Sequence, residues 1–166
     1  MTFTVRETIE TAIAAERASE VLYRGLQARF APYKAVADFF EAYAFEESKH
    51  AEWLESLRSH LDDQTLNQVV DASIEYLLQN VSAFSVEKAL ARVSNLEDAF
   101  QLVNEIESAE TNAIFQFLLD HFEPDENVKT FLRQQLEDHI DKFRFGFPAE
   151  YQGTVARQAL RALKLE

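Results

Sequence analysis

Glu47 and His50, in Glu47-Ser48-Lys49-His50, are the residues of this chain whose types and spacing most directly point to chemistry. Three residues apart on a helix, a carboxylate and an imidazole share one face, roughly 5–6 Å apart at Cβ. That is how a single helix offers two ligands to one metal ion. Glu-x-x-His also arises by chance, so its meaning depends on which face the pair occupies and on what faces it. Other donors recur along the chain: Glu16 in Ala14-Ala15-Glu16-Arg17, Glu107 and Glu110 one turn apart, and His139.

The elements that must position them are helices. The 166 residues include only three Gly and three Pro, which leaves few breakers. From Thr4 to Phe30, Val5, Ile9, Ala12, Ile13, Tyr23, Leu26 and Phe30 fall at three- and four-residue steps, predicting an amphipathic helix. Glu16 lies on that stripe, whereas Glu20 lies nearer its edge as a solvated or helix-pairing residue. Pro32 suits the first turn of a second helix, over 32–61. Its stripe is Val36, Phe39, Phe40, Tyr43, Glu47, His50, Leu54, Leu57 and Leu61, so Glu47 and His50 interrupt an otherwise apolar face. The short break between the two predicts an antiparallel hairpin. Residues 62–94 read as a long crossover carrying one or two short helices, with helical patterning over 64–79 and an extended stretch at 81–84. Asn95 is the expected N-cap of a third helix running to about His121. Its stripe holds Leu96, Ala99, Phe100, Val103, Ile106, Glu107, Glu110, Ile114 and Phe117. A fourth, over 125–145, carries Val128, Phe131, Leu132, Gln135, Leu136, His139, Ile140 and Phe143. A short C-terminal helix is expected over 154–164. The expectation is therefore an all-α chain of one domain over 1–166: a four-helix bundle at about 5–145, built of two hairpins joined by a crossover, with an extension at 146–166.

Unpaired carboxylates inside an apolar bundle cost several kcal/mol each. They persist when a metal neutralises them, when basic groups pair with them, or when they face solvent. Few basic residues fall on the stripes, which favours metal; carboxylates with imidazole suit iron or manganese and also accept zinc. Composition closes other routes. There is no cysteine, which excludes disulfides, cysteine nucleophiles and Cys-x-x-Cys iron centres. The formal net charge of -13 repels phosphate backbones, so nucleic acid is not an expected partner. No run approaches the roughly 20 apolar residues of a membrane span. The N-terminus lacks the blocks of a signal peptide, and a cytoplasmic location is expected.

Ala12-Ile13-Ala14-Ala15-Glu16 followed by Tyr23, then Phe45-Glu46-Glu47-Ser48-Lys49-His50-Ala51-Glu52-Trp53-Leu54, resembles the rubrerythrin-type diiron domain of the ferritin-like superfamily. Glu107-Ser108-Ala109-Glu110, with Phe115 eight residues after Glu107, is similar to that family's paired glutamates. The resemblance covers roughly 5–145. It implies Glu16 and Glu107 as terminal ligands, Glu47 as a bridge, His50 as a ligand to one metal, and Glu110 as a ligand that exchanges with redox state. It further implies a non-haem diiron centre that reduces peroxide, activates dioxygen or handles iron. The departure is on the fourth helix, where the family usually offers another Glu-x-x-His. Here His139 is preceded at three residues by Leu136; Glu137 points about 160° away, and Gln135 is a neutral substitute.

The cofactor expectation is iron, as two ions or one. Three function classes follow: an oxidoreductase acting on peroxide or dioxygen, a metal-binding or iron-handling protein without turnover, and a helical interaction module with a degenerate site. The expectation is a stand-alone bundle without a rubredoxin domain, for which a redox role would need a separate electron donor. The aromatic-rich helices and crossover point to a homodimer. Tyr23 and Tyr43 read as core aromatics, Trp53 as a packing residue at a helix or subunit interface, and His60 and His121 as helix-end residues.

Overall fold

The structure, a computed structural model, describes residues 3–107 and 111–147. Among these are eight helices: α1 (Val5–Arg29), α2 (Lys34–His60), α3 (Asp63–Leu66), α4 (Ala72–Ser82), α5 (Val86–Ala91), α6 (Leu96–Glu107), α7 (Thr111–Phe122) and α8 (Glu126–Gly146). No helix among the described residues is long and apolar enough to cross a membrane. The all-α architecture of two hairpins joined by a crossover is the one the hydrophobic periods predict.

Local chemistry starts these helices. Thr4 and Glu7 form a reciprocal capping box at the head of α1. Asn95 accepts from the backbone N–H of Asp98 at 2.9 Å, and Asp125 caps α8 through Asn127 and Val128. Pro32, expected in the first turn of the second helix, stays in the intervening turn; that helix begins at Lys34.

The crossover departs most from expectation. It carries three short helices, and the predicted run over 64–79 is broken between α3 and α4. The cause is tertiary. Val5 N–H donates to the Gln68 carbonyl at 2.9 Å and Val70 N–H to that of Phe3 at 3.0 Å, so the segment pairs with the chain start. Asp71 then caps a fresh helix through Ser73 and Ile74. Val81 and Ser82, expected to be extended, are its last turn. Gly25 lets α5 approach α1 closely: a Cβ there would lie 2.7 Å from Leu90 Cδ1.

Two apolar clusters fill the bundle. One gathers Leu22, Tyr23, Phe40, Tyr43, Phe100 and Val103; the other gathers Ile9, Ala12, Leu54, Leu78, Phe115 and Leu136. Along α1 the second cluster ends at Ala12 and the first begins at Leu22; along α2 the first ends at Ala44 and the second begins at Leu54. Buried Glu16, Glu47 and His50 occupy the gap between them. On α8 the inward positions are Leu132, Leu136 and His139. Phe131 and Gln135, placed on that stripe by their spacing, face solvent, and Ile13 on α1 is only half-buried. The expected continuity of the third helix through 108–110, the burial of Ile140 and Phe143, and the C-terminal helix lie outside the described residues.

Candidate metal centre

α1 and α2 bring the first three donors together because each carries its polar residues in register with the gap between clusters. His50 Nδ1 lies 3.6 Å from Glu16 Oε2 and 3.5 Å from Glu47 Oε2. One ligand atom from each of the three falls within 4.8 Å of the others, and all three side chains are buried. His139 joins from α8, its Nε2 3.2 Å from Glu47 Oε1. The two oxygens of Glu47 thus face two different imidazoles. The sequence placed Glu16, Glu47, His50 and His139 inside the bundle, and all four are there. The side chain of Glu107 and the whole of Glu110 lie outside the described residues.

Electrostatics show what this grouping lacks. The buried polar and charged residues among those described are Thr8, Glu16, Ser19, Glu47, His50 and His139, with no Lys or Arg. Arg17 instead pairs with Glu20 and Glu55 near the surface, and Lys49 with Glu52. Glu20, read from the sequence as a solvated or helix-pairing residue, pairs with Arg17 and Arg24 along its own helix α1. Burial, and then the charge of Glu47, push the Glu16 carboxyl up to about 8. Burial also acts to raise Glu47, but hydrogen bonds with His139 and His50 outweigh it and hold Glu47 well below the usual carboxylate range. Desolvation acts to lower His50, yet its bonds to Glu16 and Glu47 raise it to about 9. Glu16 and His50 thus both favour their protonated forms. A divalent ion is the natural replacement, and two carboxylates with an imidazole are a donor set suited to iron.

Sequence reading missed Glu46. His139 Nδ1–H donates to Glu46 Oε2 at 2.7 Å, and Lys142 donates to Glu46 Oε1 at 2.7 Å. Glu46 thereby turns His139 Nε2 inward, the carboxylate–imidazole support common around metal ligands. Tyr43 fixes the same segment, donating from its hydroxyl to the His139 carbonyl at 2.6 Å. Phe115 packs on His50 with ring centroids 5.1 Å apart, and on Trp53 at 4.8 Å. Trp53 donates to Glu123 at 3.2 Å, tying α2 to the turn before α8. His60 and His121 are exposed and bond to carbonyls one turn back, as helix-end residues do.

The family comparison decides the identity. A model of the rubrerythrin family matches residues 7–143, nearly the whole described bundle. The chain belongs to the rubrerythrin family. No curated protein and no solved structure matches it. Rubrerythrins are ferritin-like diiron domains, and the buried Glu–Glu–His group fits a metal site of that kind. On α8, Leu136 occupies the inward position one turn before His139, while Gln135, Glu137 and Asp138 are exposed.

Proposed function

We propose that this rubrerythrin-family protein binds non-haem iron through Glu16, Glu47, His50 and His139, with Glu107 and Glu110 completing the set, and that it acts as an oxidoreductase on peroxide or dioxygen. The observation that carries the reading is the buried convergence of Glu16, Glu47 and His50, with no Lys or Arg buried among the described residues. Iron, when bound, supplies the electrons and the Lewis acidity of the reaction. The chain supplies the rest. Glu47 faces both imidazoles, Glu46 and Tyr43 fix His139, and Phe115 and Tyr43 wall the site from water. A cleft of about 320 Å³ between α2 and α8, lined by Phe45, Lys49, His50, Phe131, Gln135 and Lys142, offers a small molecule a way to His50. Leu136 favours a second reading, iron handling without turnover, because it removes a carboxylate that the redox domain usually carries.

Rapid mixing of the reduced, iron-loaded protein with hydrogen peroxide separates the two. Oxidation within milliseconds to seconds, repeated over many turnovers once a reductant is supplied, supports the enzyme. Oxidation no faster than that of free ferrous ion would leave only iron handling.

Two further outcomes follow. Glu46→Ala removes the acceptor for His139 Nδ1 and is expected to weaken metal affinity about 10–100-fold. Glu46→Gln, which keeps a carbonyl acceptor, should recover part of the loss; equal affinities for both variants and the wild type would contradict the support role. Metal must also displace the protons that Glu16 and His50 hold near neutrality. Both groups are raised, so affinity should increase as pH rises toward 8–9 and fall as pH drops, by about one log unit per pH unit for each proton displaced. Calorimetry in buffers of different ionisation enthalpy counts those protons, and a count of zero at pH 7 would be the contrary result.

A further inference from the structure

We propose that the centre takes a neutral organic hydroperoxide, an O–OH group on an apolar body, in preference to hydrogen peroxide, and that Phe45 and Phe131 make that choice. This rests on the redox reading above and deepens it by naming the substrate class. The cleft between α2 and α8 carries the argument. On α8, Phe131, Gln135, Asp138 and Lys142 recur at four- and three-residue steps and share one face. Phe45, Glu46 and Lys49 of α2 stand across from them, and the buried His50 forms part of the lining. The cleft holds about 320 Å³, against the roughly 30 Å³ that one water takes up in the liquid. Hydrogen peroxide, with one oxygen more than water, leaves most of that space unfilled. Cavities of roughly 300–1,000 Å³ hold whole small organic molecules.

The lining selects for an apolar body. Three phenylalanines are exposed among the described residues, and two of them, Phe45 at 60% and Phe131 at 62%, line this cleft. Apolar side chains left in water are stabilised when an apolar surface covers them. Lys49 lies 5.4 Å from the centroid of the Phe45 ring, a cation–π contact that leaves most of that ring exposed. The charges on the rim select against an anion. Lys142 donates to Glu46 at 2.7 Å and Lys49 to Glu52 at 2.7 Å, so both lysines on the cleft are neutralised. Asp138 accepts from the neutral amide of Gln134 at 3.0 Å and keeps its charge. A hydroperoxide bearing a carboxylate therefore finds no spare cation there among the described residues, and a neutral one is favoured. In the reaction the O–O bond of ROOH breaks, and two electrons and two protons convert it to the alcohol ROH and water. The electrons come from iron and then from the separate reductant that a redox role needs; the protons come from solvent.

The test compares cumene hydroperoxide with hydrogen peroxide as substrates of the iron-loaded protein under excess reductant. The kcat/KM for cumene hydroperoxide should exceed that for hydrogen peroxide by at least ~10-fold. In Phe131→Ala that ratio should fall by at least ~5-fold, chiefly through KM, and Phe131→Leu should restore part of it. Phe131 is exposed, so neither substitution threatens the fold. Apart from turnover, cumyl alcohol, the product, should bind the full-length wild type with a Kd of about 1–10 mM by calorimetry, and Phe131→Ala at least ~5-fold more weakly. A kcat/KM for cumene hydroperoxide equal to or below that for hydrogen peroxide would overturn the substrate assignment and leave the redox reading intact. So would an unchanged ratio with unchanged alcohol binding in Phe131→Ala. A wild-type dimer that Phe131→Ala converts to a monomer would give this face to a second copy instead. Reaction with neither peroxide would overturn the redox reading itself.

Discussion

Glu47→Ala is expected to remove metal from both sides of the centre. Each Glu47 oxygen faces a different imidazole, His50 at 3.5 Å and His139 at 3.2 Å, so one substitution takes a donor from each. Of the described donors grouped around His50, only Glu16 and His50 itself then remain, a single carboxylate and a single imidazole. A fall in apparent affinity of at least ~100-fold, about 2.7 kcal/mol, is expected. The metal-free variant should still fold, since the bundle rests on two apolar clusters that Glu47 merely separates. Calorimetric titration with ferrous ion, with helicity checked by circular dichroism, measures both parts. Unchanged affinity in a folded variant would remove Glu47 from the centre.

Glu16→Leu should act in opposite directions on binding and on stability. Glu16 is buried, and no Lys or Arg among the described residues is buried with it; burial and the charge of Glu47 push it up to about 8. In the metal-free protein such a group is a liability, one that the proposed cation would relieve. Replacing a whole buried ion pair with apolar groups often stabilises by about 1–4 kcal/mol, and Glu16, kept protonated near neutrality, can be removed without stranding a charge while His50 and Glu47 stay paired, so a gain within that range is expected. At roughly 2–4 °C per kcal/mol for a chain of this size, the metal-free melting temperature should rise by up to about 15 °C. The variant should also lose most of the stabilisation that added iron gives the wild type. If metal-free Glu16→Leu melts lower than the wild type, Glu16 is instead a structural partner of His50, and the cluster is a stability device.

What the sequence made legible is what local periodicity and short-range chemistry control. The stripes of α1 and α2 place Glu16, Glu47 and His50 inward, and the structure agrees because apolar residues a turn away on either side force that rotation. Asn95 and Asp125 mark helix starts through side chains that reach only two or three residues. Distant pairings escaped. The break between α3 and α4 comes from the segment's bonds to Phe3 and Val5, sixty-odd residues earlier. Glu46 was passed over because it sits next to the stripe, and its partners His139 and Lys142 come from α8. Charge was the available signal: two adjacent glutamates before His50, and an imidazole on the fourth helix whose second nitrogen needed an acceptor. On α8, Val128, Phe131, Leu132, Gln135 and Leu136 span too wide an arc for spacing to choose its centre. Packing chose Leu132, Leu136 and His139 and left Phe131 in solvent.

The central claim is that the buried Glu16, Glu47, His50 and His139 exist to hold metal. Elemental analysis of protein reconstituted with ferrous ion and then desalted, wild type beside Glu47→Ala, tests it most directly. At least one firmly retained iron per wild-type chain and almost none in the variant is the expected result. A wild type that retains no metal, or a variant that retains as much as the wild type, would contradict it.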